Sequence, residues 1–329
     1  MESIVVSFKP GQRGREQIMQ SLGDIAKVVF LDDVDESARR QVLQEATLLL
    51  SRNTAKEFQD AELESLAHLS LIQFMSAGVD FVPLFKLPSA VPVAVNAGAY
   101  AQAMAEHALA MILAAAKRLL PEHMNLTRGE FNQYAPSRML QDMTVGILGF
   151  GGIGVACARL LRVLGVRVHA INRRGHSEQP VDWMGAIDDI DELLASSDAL
   201  ILSLPLTGRT EGLIGAQELA KMKTDAMIVN LARGEIIDEL ALFNHLQRNP
   251  AFTACIDAWW VEPVRHGEFR MDQAFLTLPN VIGSPHNSAT VNGSVEVALR
   301  AAMANCRRVL EGHAALHLVG DDERMFNAP

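Results

Sequence analysis

Cysteine is scarce. Cys157, Cys255 and Cys306 are odd in number, far apart and without metal-ligand spacing, which excludes a disulfide framework and leaves no metal site to expect. They read as small core hydrophobes in a reducing compartment. Long apolar runs are also missing, so no segment is expected to cross a bilayer. Met1-Glu2-Ser3 leads straight into Ile4–Phe8 without the basic start and cleavage site of a secretory signal, and a cytoplasmic location is the expectation. Positive charge is in deficit, with 29 Lys and Arg against 39 Asp and Glu and a formal net charge of −10. That field repels phosphate backbones and anionic lipid, so neither nucleic acid nor membrane is an expected partner. Repeats and low-complexity segments are absent. What remains is 49% hydrophobic and 21% charged, a globular composition, in a chain of 329 residues that is too long for one core. Two domains around a cleft follow.

Short β-rich runs alternate with helical patterns nearly throughout, the mark of βαβ units. Strands are expected at Ser3–Phe8, Lys27–Leu31, Ala46–Ser51, Leu71–Met75 and Val93–Asn96, with helices at Arg13–Leu22, Glu36–Gln44 and Asp60–Leu66. Ala101–Leu120 is rich in strong helix formers and apolar over more than one stripe, which predicts a single long helix that links domains or faces a partner subunit. A second series runs through Thr144–Gly149, Arg167–Ile171, Ala199–Leu204, Ala226–Asn230, Thr253–Asp257 and Val281–Gly283, the strands of a doubly wound sheet. A last helix, Ser294–Leu310, is expected to return to the first domain. The fold expectation is α/β, with two Rossmann-like or flavodoxin-like parallel-sheet domains and an active-site cleft between them. Residues 1–100 and 288–329 would bind substrate, and 101–287 a dinucleotide.

Gly149-Phe150-Gly151-Gly152-Ile153-Gly154 lies between an apolar strand and a helical stretch, the setting that G-x-G-x-x-G requires. One glycine permits the turn, another lets backbone amides approach a pyrophosphate at the helix N-terminus, and the third allows close helix–strand packing. The next strand should end at the residue that reads the adenosine ribose, usually a carboxylate. Here it ends Asn172-Arg173-Arg174, which suits a 2′-phosphate and predicts NADP in preference to NAD, with NAD still possible.

Three later segments carry a family resemblance: Asn230–Glu239, Asp257–Pro263 and Leu278–His286. With the glycine motif upstream they resemble, in order and spacing, the signatures of the D-isomer-specific 2-hydroxyacid dehydrogenases, the glyoxylate and hydroxypyruvate reductases among them. The likeness runs from about Ser76 to the last helix. It implies that Leu204-Pro205 and Thr210 lie beside the cofactor, that Asp257 hydrogen-bonds the nicotinamide carboxamide, and that Ser76-Ala77-Gly78 clamp the substrate carboxylate. It also implies that Glu262 orients His286, the two meeting across the cleft.

Chemistry supplies an independent reason for such a set. Reducing a 2-oxo acid needs a cation for the carboxylate, a proton for the developing alkoxide and a hydride at the carbonyl carbon. Arg233, just past a strand's carboxyl end, offers a planar fork for the carboxylate. His286 can deliver or accept the proton, and a carboxylate such as Glu262 would hold the ring and stabilise imidazolium. Arg233 and His286 therefore count as both catalytic and substrate-binding. His107 reads as interdomain packing and Arg52 as a solvated surface group. Trp259-Trp260 departs from the family pattern and predicts a narrowed or rearranged pocket near Glu262.

The function expected is hydride transfer between NAD(P)H and a small 2-oxo or D-2-hydroxy acid, in a homodimer formed through helix 101–120. Two alternatives stay open: a catalytically silent dinucleotide-binding regulator of the corepressor kind, and a same-fold dehydrogenase of another small anion such as phosphite.

Overall fold

The computed structural model describes residues 2–326 and Ala328. The chain divides into two units, Met1–Tyr100 with Asn292–Pro329, and Ala101–Val291. In the first, strands β1 (Ser3–Val6), β2 (Lys27–Phe30), β3 (Leu48–Ser51), β4 (Leu71–Phe74) and β5 (Val93–Ala94) form a parallel sheet in the order β2-β1-β3-β4-β5. Its strands are largely apolar, Ser3, Lys27, Ser51 and Gln73 excepted, because both faces are covered. Ile4, Val6, Leu48 and Leu50 pack with Ile18 and Leu22 of helix Gly11–Leu22 and with Leu299, Ala302 and Met303 of helix Ser294–Leu310. Val5, Leu49 and Ile72, alternate residues of the same strands, pack with Leu43, Leu63 and Leu66 on the other side. Each fully buried aliphatic side chain contributes about 1.5–3 kcal/mol, so this contact fixes the last helix to the first unit. The chain then runs on to pair with the sheet edge, where Val95 N–H donates to His317 O and Val319 N–H to Val93 O, around an antiparallel Ala94–Leu318 bridge.

The second unit holds β6 (Thr144–Leu148), β7 (Arg167–Ile171), β8 (Trp183–Gly185), β9 (Ala199–Leu202), β10 (Met227–Asn230), β11 (Thr253–Ile256) and β12 (Val281–Gly283). Their order is β12-β11-β10-β9-β6-β7-β8, all parallel, and the direction of winding reverses between β6 and β9. Ligands of open α/β sheets bind past the carboxyl ends of the strands at such a reversal.

Several expected elements change. The expected helix 101–120 is two helices, Ala101–Ala116 and Leu119–Thr127, separated by Arg118 in the left-handed region at φ 55°. Pro121 supplies the reason. In a continuous helix its ring would clash with the carbonyl four residues back, whereas a restart at Leu119 puts it in a first turn, where no N–H is needed. Helix Ala101–Ala116 packs along helix Gly152–Val163, with Met104, Ala108, Met111 and Ile112 buried, so its extra apolar surface is used within the unit. Several strands, though not β3, β7, β10 or β12, end one or two residues before the apolar runs that announced them. Phe8, for example, is buried in the core beyond the end of β1. Helix Thr54–Glu57 and strand β8 add to the expected set, and Asp60–Leu66 splits into an α-turn and a 3-10 turn.

All three cysteines are buried and unpaired, and burial pushes each thiol up to about 12. Among the described residues no cluster of histidine, cysteine or acidic side chains could hold a metal, and no helix is long and apolar enough to cross a membrane.

Candidate active site

At the reversal point the three glycines of the motif do different work. Gly149 sits at φ 104°, and a Cβ there would lie 2.7 Å from the backbone of Ser203 and Leu204, the segment leaving β9. Ser203 Oγ donates to Gly149 O at 2.8 Å and ties the two loops together. A Cβ on Gly154 would meet Gly149 O at 2.6 Å, so the helix can approach the strand only as glycine. Around Gly151 nothing lies within 4 Å of where a Cβ would stand, leaving open space over the helix N-terminus. The N–H groups of Gly149 and Phe150 both donate to Ile171 O, and the Phe150 ring is buried. Val155 N–H is the first to reach back to the helix start, on Gly151 O, so the outward amides are those of Gly152, Ile153 and Gly154. This cradle fits a pyrophosphate.

After β7, Asn172 builds a tight loop. Its Oδ1 accepts from Arg174 N–H at 2.9 Å and its Nδ2 donates to His176 O at 3.0 Å. Arg173 and Arg174 are exposed, and neither has a carboxylate within ion-pair distance among the described residues. Leu204 is half-buried and Pro205 exposed, while the Thr210 hydroxyl is spent inside its loop, donating to Pro205 O at 2.7 Å and accepting from Thr207 N–H at 2.8 Å.

Beyond β10 the buried Asn230 side chain shapes the turn, accepting from Ala232 N–H and donating to Arg233 O. Arg233 is half-buried there and its Nη1 donates to Ala232 O at 2.6 Å. The turn lies against the backbone of Trp259 and Trp260 so tightly that a Cβ on Gly234 would come within 2.3 Å of Trp259 C. Glu262 follows, 8% exposed, with Oε1 accepting from Trp259 N–H. Its Oε2 lies 2.6 Å from His286 Nδ1. With both carboxylate oxygens accepting, Nδ1 carries the proton and Nε2 is the free ring nitrogen. The imidazole is 32% exposed, enough to meet a ligand.

Both members of this pair belong to the second unit, which corrects the expectation that they meet across a cleft. They sit past β11 and β12, neighbouring strands whose register pairs Ile256 with Gly283. The two indoles are held within the unit. Trp259 Nε1 donates to Ser284 O, while Trp260 Nε1 donates to Ile237 O and its ring stacks on Phe275 at 5.1 Å, so both are packed into the unit. Asp257 is 0% exposed, and its carboxylate accepts from Ser284 Oγ, Asn287 N–H and Ser288 N–H. His107, expected to pack between domains, finds its partner within its own unit, 3.0 Å from Ser284 Oγ.

In the first unit Ser76, Ala77 and Gly78 are half-buried directly after β4. Ser76 O accepts from Asn96 N–H at 2.8 Å, and the Ser76 hydroxyl is buried with no hydrogen-bond partner among the described residues. The Arg52 guanidinium lies over the Phe8 ring at 4.6 Å although the residue is exposed.

Residues 109–288, more than half of the chain, match the NAD binding domain of the D-isomer specific 2-hydroxyacid dehydrogenases. The chain belongs to this family. It is 29% identical over 308 residues to a D-3-phosphoglycerate dehydrogenase of Methanocaldococcus jannaschii, covering 92% of this chain and 57% of that protein. It is 36% identical over 195 residues to a glyoxylate/hydroxypyruvate reductase B of Pectobacterium atrosepticum, covering 57% of this chain and 59% of that one. The matched region thus spans less than two thirds of the length of either relative. A solved D-isomer specific 2-hydroxyacid dehydrogenase from Xanthobacter autotrophicus shares the fold, with a TM-score of 0.81 at 24% identity over 97% of this chain and 98% of that one.

Within the family signatures, Asn230, Gly234 and Ser284 carry no role legible from sequence. Asn230 shapes its own turn, whereas for Gly234 and Ser284 only the close approach of segments distant in sequence reveals what they do.

Proposed function

We propose that the protein is a reductase of a short 2-oxo acid, of the glyoxylate or hydroxypyruvate type, that prefers NADPH. The observation that carries this reading is the 2.6 Å contact between His286 Nδ1 and Glu262 Oε2, which leaves Nε2 as the one ring nitrogen able to exchange a proton with substrate. Glu262 stabilises the imidazolium that gives up that proton. Arg233, held by the Asn230 turn, binds the substrate carboxylate through its guanidinium and polarises the carbonyl. In the first unit Ser76-Ala77-Gly78 are the segment proposed to offer backbone amides to a substrate carboxylate. Gly151–Gly154 hold the pyrophosphate, Leu204, Pro205 and Thr210 flank it, and Arg173 with Arg174 meet the 2′-phosphate, supported by the lack of a carboxylate within ion-pair distance among the described residues. The dinucleotide, when bound, supplies the hydride. The name of the Pectobacterium relative supports the choice of substrate class, and the buried free thiols support a cytoplasmic setting.

The dimer proposal moves along the chain. Helix Ala101–Ala116 is used within the unit, whereas Leu119–Thr127 buries none of its residues, and Leu120, Met124, Phe131 and Tyr134 nearby are exposed. A second copy covering this apolar strip is the proposed arrangement.

The test is absorbance at the nicotinamide band with a panel of 2-oxo acids, run with both cofactors. Oxidation of NADPH by glyoxylate or hydroxypyruvate is expected. Cofactor binding without turnover of any member would leave the silent regulator as the better reading.

A further inference from the structure

The buried carboxylate of Asp257 organises the segment that carries His286. Three consecutive N–H groups end on this one residue: His286 N–H on its carbonyl at 2.9 Å, and Asn287 and Ser288 N–H on its carboxylate at 3.1 and 3.2 Å. His286 itself stands in the left-handed region at φ 49°, which a non-glycine residue holds only when its surroundings over-determine it. A fully buried carboxylate is tolerable only with donors around it, so the anion and the strained loop stabilise each other.

The fourth donor extends the arrangement. Ser284 Oγ lies 2.5 Å from Asp257 Oδ1 and 3.0 Å from His107 Nε2. Serine has one proton and an ionised carboxylate can only accept, so that proton goes to Asp257 and the hydroxyl oxygen accepts from His107. His107 therefore carries its proton on Nε2. Helix Ala101–Ala116 is in this way hydrogen-bonded to the loop behind the acid–base histidine, and Ser284 O is held in addition by Trp259 Nε1 at 2.8 Å.

We infer that His107, Ser284 and Asp257 form a positioning relay, Nε2–H to Oγ–H to carboxylate, that holds His286 in its left-handed conformation and aims its Nε2. Asp257 then acts through His286. This rests on the reading of His286 as the proton donor, so the first readout is independent of turnover.

In the ligand-free protein, the Nδ1 proton of His286, shared with Glu262, gives a low-field proton resonance assigned by its loss in His286→Gln. The relay predicts that it broadens or vanishes in Ser284→Ala and Asp257→Asn and survives in Ser284→Thr, which keeps the hydroxyl. In turnover, Ser284→Ala should lower kcat about 10- to 100-fold, the cost of misplacing a catalytic group by roughly an ångström, and Ser284→Thr should restore it. The dissociation constant of NADPH, read by fluorescence, should change little in Ser284→Ala and Ser284→Thr. If Asp257→Asn fails to fold, Ser284→Ala still decides. A resonance undisturbed in Ser284→Ala overturns the relay, as does weakened NADPH binding with kcat preserved at saturating cofactor in Asp257→Asn. If wild type turns over no 2-oxo acid, the reaction reading fails and the resonance alone judges the relay.

Discussion

His286 donates Nδ1–H to Glu262 Oε2 although 24 residues separate them in the chain, because the loops that carry them leave adjacent parallel strands. Glu262 accepts a second N–H, from Trp259, so both of its oxygens are committed. A glutamine has one oxygen and must turn its amide toward one of these donors. Glu262→Gln is therefore expected to lower kcat for reduction at least tenfold while NADPH still binds, and His286→Ala to lower it about 10²–10⁴-fold, the range of one general acid. Near-full activity in His286→Ala would reopen the choice of acid.

Arg173 and Arg174 stand exposed on a loop that Asn172 has shaped, with no carboxylate claiming them. Each charge-assisted contact to a 2′-phosphate is worth at most about 1.5–3 kcal/mol, reduced by exposure. A tenfold or greater preference in kcat/KM for NADPH over NADH follows, and it should collapse in Arg173→Ala with Arg174→Ala. Equal efficiency with both cofactors in wild type would sink the assignment.

The parallel sheets were legible in the sequence because strands buried on both faces read as continuous apolar runs, and Val145–Leu148 before a glycine turn is such a run. Strand β8 was not, since Trp183–Gly185 is a three-residue edge strand with too little apolar length to stand out. The break at Arg118 was missed because Ala-rich propensity outweighed Pro121 in the reading, whereas a proline clash in a helix interior costs about 3 kcal/mol and wins. Arg233, Glu262 and His286 were found through family signatures, but their supports were not. Gly234 and Ser284 owe their roles to backbone or side chains about 25 and 177 residues away, which no local pattern encodes.

Gly234 gives the clearest stability prediction. A Cβ there would overlap the backbone of Trp259 and Trp260, and backbone cannot swing aside as a side-chain end can. Gly234→Ala should destabilise the second unit by about 1–3 kcal/mol or more, the range for overpacking, with a lower thermal midpoint. An unchanged midpoint would mean that the turn carrying Arg233 is free to move away.

For the proposed dimer, Leu120→Glu with Phe131→Ser places charge and polarity on the exposed strip. Light scattering at micromolar concentration should give twice the chain mass for wild type and the single-chain mass for the variant, with NADPH binding retained. A monomeric wild type would remove the second copy as the cover for this surface.

A last prediction concerns the opposite, amino end of the second sheet, where Asp198 precedes β9 and accepts from Thr144 N–H at 2.7 Å, Lys223 Nζ at 2.9 Å and Arg138 Nη2 at 2.9 Å. Burial alone would favour the neutral acid, but the Thr144 N–H and the Lys223 ammonium, joined by Arg138, outweigh it and hold the carboxyl below its ordinary value of 3.8. A carboxyl whose folded-state value is depressed contributes stability that is present above the unfolded value and lost as pH falls through the folded one. Asp198→Asn should therefore unfold at lower denaturant than wild type at pH 7, and the gap should narrow as pH falls below the ordinary carboxyl value of 3.8 toward the lowered folded-state value. Because Asp198 sits at the amino ends of the strands, away from the glycine loop, NADPH affinity at pH 7 should be unchanged in the folded variant. A stability gap that stays constant from pH 7 to pH 3 would show that the Asp198 charge is not what holds this end.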